Sequence, residues 1–138
     1  MGMSNQADEL ADRLRRFAVR VVKFARALPR DPVAGRIAGQ LAGAGTGAPA
    51  NDHAARRARS RAEFIAKLSV AVEEADEAEN WLALILAADL ELSDSVRTEL
   101  DALWHESREL RAILVQSVRT ARANSHMPPS SPKRSRLR

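Results

Sequence analysis

The sequence predicts an all-α protein that folds as an up-down antiparallel four-helix bundle. Ala, Leu and Arg are strong helix formers and are abundant, whereas aromatic residues make up 4% of the chain and Tyr is absent. Strand-rich folds favour aromatic and β-branched residues instead. Apolar residues recur at intervals of three and four, the spacing that bundle helices require. Short connections between these segments favour antiparallel packing, and 138 residues suffice for one domain.

The first helix is predicted from Ala7 to Leu28, after a flexible segment at residues 1–6. Its apolar seam steps by four and three through Leu10, Leu14, Phe17, Val21, Phe24 and Leu28. Pro29 should end the helix, because a proline disfavours helical geometry in the residue before it.

The second helix is predicted from Pro32 to Arg59. Asp31 and Pro32 have the residue types of an N-cap and a first helical position. Glycines recur every four residues, each weakening a helix by about 1 kcal/mol relative to alanine: Gly35, Gly39, Gly43 and Gly47. They should allow close approach by a neighbouring helix, of this chain or of another subunit. Pro49 should either bend or interrupt the helix.

The third and fourth helices complete a bundle predicted over residues 7–123. Ser60 and Glu63 have the spacing of a capping box, and the third helix should extend from there to Ala88. Ser93 is the predicted N-cap of the fourth helix, which should end at Ala123. Residues 124–138 contain three prolines and four basic residues, and we predict them to be a disordered basic tail.

Charge is distributed unevenly along the chain. The net charge is +4. It divides into +7 over residues 1–72, −7 over residues 73–123 and +4 over residues 124–138. Such a distribution suits an anionic partner, or two oppositely charged surfaces that meet on assembly. The acidic run at residues 73–79 is either a solvated helix face or a partner for arginines of a neighbouring helix.

Two groups of basic residues are the candidate nucleic-acid-binding residues. One recurs at helical spacing on the first helix and the other lies at the junction of the second and third helices: Arg13, Arg16, Arg20 and Lys23, then Arg56, Arg57, Arg59 and Arg61. Arginine binds phosphate through two parallel hydrogen bonds. Alternatively, these residues neutralise the acidic half of the chain, within or between subunits. Neither group contains an aromatic residue, so any binding should depend on shape and charge rather than on base identity.

Enzymatic chemistry finds little support in the sequence. There is no cysteine, which excludes thiolate nucleophiles and cysteine metal sites. No glutamate stands three residues before His53, His105 or His126, as helical di-iron sites require. No phosphate-binding loop is present. We therefore expect no catalytic residue, no metal and no cofactor. No apolar run approaches the ~20 residues of a membrane-spanning helix, and no signal peptide is evident, so we expect a cytoplasmic protein.

The two tryptophans, Trp81 and Trp104, have two possible roles. Each either packs in the core or contributes to an interface between subunits, where tryptophan is enriched. We predict an interface between copies of the chain at these two residues.

The central and C-terminal parts of the bundle contain the runs Gln40-Leu41, Ala44-Gly45-Thr46, Pro49-Ala50-Asn51, Arg57-Ala58-Arg59-Ser60-Arg61-Ala62-Glu63-Phe64-Ile65-Ala66-Lys67-Leu68, Val72-Glu73-Glu74-Ala75-Asp76-Glu77, Trp81-Leu82 and Glu109-Leu110-Arg111-Ala112-Ile113-Leu114. In these runs the chain resembles the bacterial family named "four helix bundle protein". The resemblance covers roughly residues 10–122. The chain departs from the family at Asp52-His53, where an aromatic or aliphatic residue is more usual at the first position, and in its richer glycine ladder.

The resemblance implies a function that the residues alone do not. Some members of that family are encoded within intervening sequences of the large-subunit ribosomal RNA gene and are labelled as ribosomal-protein-like. A similar fold is that of the accessory variability protein of diversity-generating retroelements, a five-fold ring that binds nucleic acid and a reverse transcriptase. The resemblance thus implies a homopentamer that binds RNA or DNA and contacts a protein partner. The alternative is a protein-protein assembly module with no nucleic-acid role.

Overall fold

The computed structural model describes residues 2–125, with side chains over residues 5–124, and forms four α-helices in that range. These are α1 (Gly2–Arg26), α2 (Pro32–Arg56), α3 (Arg61–Ala88) and α4 (Asp94–Ser125). Each helix packs on the next along the chain, and α4 closes the ring against α1. No strand occurs in residues 2–125. The predicted all-α, up-down antiparallel four-helix bundle is confirmed.

Helix α1 extends further at its start than the sequence predicted, and ends slightly earlier. It begins at Gly2, so residues 2–6, predicted to precede the helix as a flexible segment, lie within it. It ends at Arg26, two residues before the predicted Leu28. The pyrrolidine ring of Pro29 keeps Leu28 out of helical geometry. Leu28 is nevertheless buried, and it closes the core at this end of the bundle.

Helix α2 begins at the predicted cap and continues through its internal proline. The Asp31 carboxylate accepts hydrogen bonds of 3.0 Å from the backbone N–H groups of Val33 and Ala34. Pro49 lies inside the helix, which continues to Arg56. The predicted end at Arg59 is wrong by three residues. Ser60 has an extended backbone as the N-cap of α3, so residues 57–59 are needed for the turn.

Helices α3 and α4 begin at the capping residues that the sequence indicated. Glu63 N–H donates to Ser60 Oγ at 3.1 Å, and the Glu63 carboxylate accepts from Arg59 N–H at 3.2 Å. Helix α4 begins after Ser93, whose carbonyl accepts from Arg97 N–H at 2.9 Å. It extends to Ser125, two residues beyond the predicted Ala123. Residues 126–138 of the predicted disordered tail lie outside the described residues.

The core is built from one face of every helix. Its largest fully buried side chains are Leu14, Val21, Leu41, Leu82, Ile85, Leu100, Leu103, Leu110 and Leu114. Buried alanines of α2 and α3 lie between them and allow these two helices to pack closely. Ser107 is buried, and its hydroxyl is satisfied by the Trp104 carbonyl at 2.7 Å. None of the helices within residues 2–125 is both long and apolar enough to cross a membrane.

The glycines of α2 divide into two classes by their surroundings. A Cβ atom at Gly45 would lie 2.7 Å from Val21 Cγ1, and one at Gly47 would lie 2.8 Å from Glu74 Cδ. At Gly35, Gly39 and Gly43, a Cβ would meet nothing within 4 Å. Close packing within the chain therefore accounts for Gly47 in the predicted ladder and for Gly45 beside it. The other three glycines lie on the outer surface of α2.

Candidate nucleic-acid interface

The predicted basic stripe of α1 divides into two rows that face different surroundings. Arg13 binds the Glu106 carboxylate of α4 through Nε at 3.0 Å and Nη2 at 2.5 Å, and also binds Glu109. Arg20 binds Glu99 of α4 through Nη2 at 2.5 Å. Hydrogen bonding to Glu106 raises the pKa of Arg13, and hydrogen bonding to Glu99 raises that of Arg20, against the opposing effect of burial.

These pairs hold α1 against α4. The contact between the two helices is the smallest of the four helix–helix contacts in the bundle. Both arginines are partly buried in it, where ion pairs are less exposed to screening by solvent and salt. For Arg13 and Arg20, therefore, the structure favours pairing within the chain, one of the two roles that the sequence left open.

The other row of the stripe faces solvent. Arg16 and Lys23 are exposed and make no ion pair with any residue that the structure describes. At about 100° per residue, they share an outward arc of α1 with Arg15 and Arg26. Arg30 follows in the turn to α2. We call this surface, formed by Arg15, Arg16, Lys23, Arg26 and Arg30, the basic face.

The basic face has few carboxylates near it. Within residues 13–51 the only acidic residue is Asp31, and its carboxylate is engaged as the N-cap of α2. Asp12 lies in α1 at the N-terminal edge of the basic face. Val19 and Val22 lie among the basic residues and are 49% and 38% exposed. Arg15, Arg26 and Arg30 were not among the residues predicted from the sequence, although the scarcity of acidic residues in this part of the chain was a signal for them.

The second predicted group, at the junction of α2 and α3, is also divided. Arg56 binds Asp52 through Nε at 3.1 Å and reaches Asp8 of α1 at 3.5 Å. Arg61 donates to the Asn124 carbonyl at 2.5 Å. Arg57 and Arg59 are exposed, and their side chains make no ion pair within the described part of the chain.

The acidic run of α3 fulfils both roles that the sequence left open. Glu79 and Asp76 pair with Arg111 of α4 at 2.6 and 3.8 Å. These two residues are therefore partners for an arginine of a neighbouring helix. Glu73, Glu74 and Glu77 have no cationic partner among the described residues. Burial raises the pKa of the Glu74 carboxyl, and repulsion from Glu77 and Glu73 raises it further.

Both tryptophans are half-buried at the border of the core. Trp81 Nε1 donates to Glu77 at 3.3 Å on the outer surface of α3. The Arg108 guanidinium lies 4.8 Å from the centroid of the Trp104 ring, a cation–π arrangement. Each ring thus packs partly in the core and keeps one part on the surface, so the predicted role of Trp81 and Trp104 in an interface between copies stays a prediction.

A groove that the sequence analysis missed lies at the end of the bundle that holds the α2–α3 connection. We call it the basal groove; its volume is about 1000 Å³, and all four helices line it. Its walls are mainly apolar, from Leu10, Phe64, Leu68 and Ile113. Asp52 lies on its floor and is 4% exposed. The signal in the sequence was a carboxylate at a core position of α2, four residues after the buried Ala48.

The Asp52 carboxylate is paired on one side only. Its Oδ2 accepts from Arg56, whereas Oδ1 makes no hydrogen bond within residues 5–124 and is not fully enclosed. Burial raises the pKa of Asp52, and the opposing attraction of Arg56 only partly offsets this effect. The pair therefore holds a carboxylate in apolar surroundings with an incomplete set of partners.

Comparisons with known proteins identify similarity to solved structures. No family model and no curated protein matches the chain. A crystal structure from Bacteroides thetaiotaomicron matches with a TM-score of 0.71 and 28% sequence identity, over 82% of this chain and 97% of that one. That protein is of unknown function and comes from the S23 ribosomal protein family. The chain therefore shares the bundle fold, over almost the whole length of its relative, with a member of the S23 ribosomal protein family.

Proposed function

We propose that the protein is a non-enzymatic helical bundle that binds structured nucleic acid through the basic face. The observation that carries the proposal is that Arg15, Arg16, Lys23, Arg26 and Arg30 are exposed and make no ion pair with a carboxylate in the described part of the chain. A rigid array of such cations releases counterions from a phosphate backbone when it binds, and this release supplies affinity without base recognition. The basic face contains no aromatic side chain that could stack on bases, so the shape and charge of the nucleic acid should determine binding.

The eight predicted residues take different parts in this proposal. Arg16 and Lys23 contact phosphate, and Arg57 and Arg59 offer a second, smaller site at the base of the bundle. Arg13 and Arg20 would have to leave their carboxylates to reach a phosphate, so we assign them to the α1–α4 contact. Arg56 and Arg61 are likewise engaged by groups of the same chain.

We further propose that the chain is related to the S23 and "four helix bundle protein" families, acts in the cytoplasm and self-associates. Support comes from the likeness to the B. thetaiotaomicron protein, from the resemblance of residues 10–122 and from the opposite charges of α1 and α3. Glu73, Glu74 and Glu77 are acidic residues without a cationic partner in the described part of the chain, and a basic surface of a second copy would complement them. A ring of about five subunits, and a reverse transcriptase as partner, are what the resemblance implies.

Binding should be measured by fluorescence anisotropy of a labelled RNA hairpin, over a series of salt concentrations. We expect the double variant Lys23→Gln/Arg26→Gln to lower the slope of log affinity against log salt by about two, because each lost phosphate contact lowers it by about one. A matched control removes the same charge elsewhere, through Lys67→Gln/Arg119→Gln, and should leave the slope unchanged. These two residues are exposed and have no ion pair among residues 5–124.

Two outcomes would contradict this proposal. No binding of the hairpin at low salt would remove the nucleic-acid role altogether. Equal effects of the two double variants would show that net charge, rather than the basic face, determines binding.

The second candidate function is a protein-protein assembly module, and the acidic residues of α3 favour it. In this case the basic face of one copy binds Glu73, Glu74 and Glu77 of the next. We expect an oligomer that dissociates at high salt, since exposed ion pairs are screened, and that is weakened by Glu73→Gln/Glu77→Gln. Sedimentation velocity at low and high salt measures this. An oligomer of unchanged size in the variant would contradict the pairing.

A further inference from the structure

The basal groove has the features of a ligand site, with an apolar body and one charged group at its floor. A volume of about 1000 Å³ is at the upper end of the range that small-molecule sites occupy. Leu10, Phe64 and Ile113 provide walls that an apolar group would cover. Ile113 is 37% exposed without such a group. Residues of all four helices line the groove, and no further helix within residues 2–125 fills it.

The hydrogen-bonding groups of the groove determine which ligand it fits. Arg13 is held by Glu106 and Glu109, Arg56 by Asp52 and Asp8, and Arg61 by the Asn124 carbonyl. Each of the guanidinium groups around the groove is thus already bound by an acceptor of the chain. On the floor, the acceptor Asp52 Oδ1 lacks a partner within residues 5–124.

The charge around the groove points the same way. The lining of the groove contains three basic side chains, Arg13, Arg56 and Arg61, and two acidic ones, Glu9 and Asp52. Carboxylates outside the lining, those of Asp8, Glu106 and Glu109, pair with Arg56 and Arg13. Because these two arginines are already paired within the chain, the open acceptor of Asp52 favours a cation over an anion. A buried carboxylate with one hydrogen bond also gains most from a ligand that donates a second.

We propose that the basal groove binds a small amphipathic amine, with its ammonium group on Asp52 Oδ1 and its apolar part against Leu10, Phe64 and Ile113. The ammonium donates a charge-assisted hydrogen bond to the carboxylate, while the apolar part displaces water from the groove walls. The basic face lies toward the other end of α1. Loss of amine binding and loss of nucleic-acid binding are therefore separable results.

Dansylcadaverine, a dansyl fluorophore carrying a primary amine on an alkyl chain, is a suitable probe, because its emission rises in apolar surroundings. N-butyl-dansylamide has the same fluorophore without the amine and serves as the matched neutral probe. We expect the full-length protein to bind the amine about tenfold or more tightly than the neutral probe, the effect of one hydrogen bond to a charged group.

Two variants separate the ammonium contact from the apolar contact. Asp52→Asn preserves the shape of the side chain and removes its charge, and it should lower the affinity for the amine to that for the neutral probe. Ser117→Phe places a ring in the groove from α4, away from Asp52, and should abolish binding of both probes. Asp101→Asn, on the exposed surface of α4, is a control that should change neither. Thermal unfolding of each variant verifies that it folds.

Equal affinity of the amine for the native protein and for Asp52→Asn would overturn the assignment of the ammonium to Asp52. Binding of the amine that survives Ser117→Phe would place the probe outside the groove and overturn the proposal. An absence of binding by either probe to the native protein would overturn it as well.

Discussion

Replacement of Gly45 by leucine is expected to destabilise the protein by about 3 kcal/mol, at the upper end of the usual cost of overpacking a core. A Cβ at Gly45 would already lie 2.7, 3.1 and 3.2 Å from Cγ1, Cβ and Cγ2 of Val21. Val21 is itself fully buried in the core, so its displacement would disturb the packing of its neighbours. The rest of a leucine side chain would have to separate α1 from α2. A fall in the midpoint of thermal unfolding of about 10 °C should accompany this loss.

The same replacement at Gly43 is the matched control. It lies two residues away in the same helix, where a Cβ meets nothing within 4 Å. Gly43→Leu should stabilise the protein by about 0.5–1 kcal/mol, because glycine is the poorer helix former. Urea unfolding followed by far-ultraviolet circular dichroism measures both variants. Similar losses of stability at Gly43 and Gly45 would contradict the assignment of close packing to Gly45 and of open surroundings to Gly43.

Removal of the Arg56 side-chain charge should destabilise the protein by about 3 kcal/mol, the lower end of the cost of leaving one member of a buried ion pair alone. In Arg56→Gln the Asp52 carboxylate keeps its burial but loses its cation. Asp52→Asn/Arg56→Gln removes both charges and should recover most of the lost stability. Chemical unfolding of the three variants, including Asp52→Asn alone, forms a double-mutant cycle that measures the coupling. Equal stability of Arg56→Gln and the double variant would contradict the role of the buried carboxylate.

The pH dependence of the stability of the Arg56→Gln variant follows from the pKa of Asp52. Burial raises this pKa in the folded state above its ordinary value, so the folded state binds the proton more tightly than the unfolded state. Between the two pKa values, stability therefore increases as the pH falls. Without Arg56, its attraction no longer lowers the pKa of Asp52, so this pKa should rise further in the folded state. The destabilisation should thus be largest at neutral pH and shrink on acidification, whereas the double variant should lack this dependence on Asp52.

Apart from the start of α1, helix boundaries were predicted from the sequence to within three residues, because capping depends on residues close together in the chain. Asp31 caps α2 through N–H groups two and three residues later, and Ser60 caps α3 through the N–H of Glu63. The errors have local causes too. The extended Ser60 forces α2 to end at Arg56, and Pro49 remains within α2 although the sequence left its effect open.

The candidate interface was only partly predictable. Three-and-four spacing identified the basic stripe of α1, but it did not tell which of its residues would face α4. Arg13 and Glu106 are 93 positions apart, and Arg20 and Glu99 are 79 positions apart. Their pairing depends on the order of the helices around the bundle and on their antiparallel register.

The sequence by itself determined the helical class, the four-helix order, the caps and the uneven charge of this protein, since each depends on composition or on residues within about one helical turn. Tertiary structure decided which cations remain free, which glycines are in close contact and where Asp52 faces a groove. These properties depend on the neighbours that a side chain meets across the bundle. A helix displays its side chains in all directions, and only packing against other helices selects the directions that are paired, filled or left open to a partner.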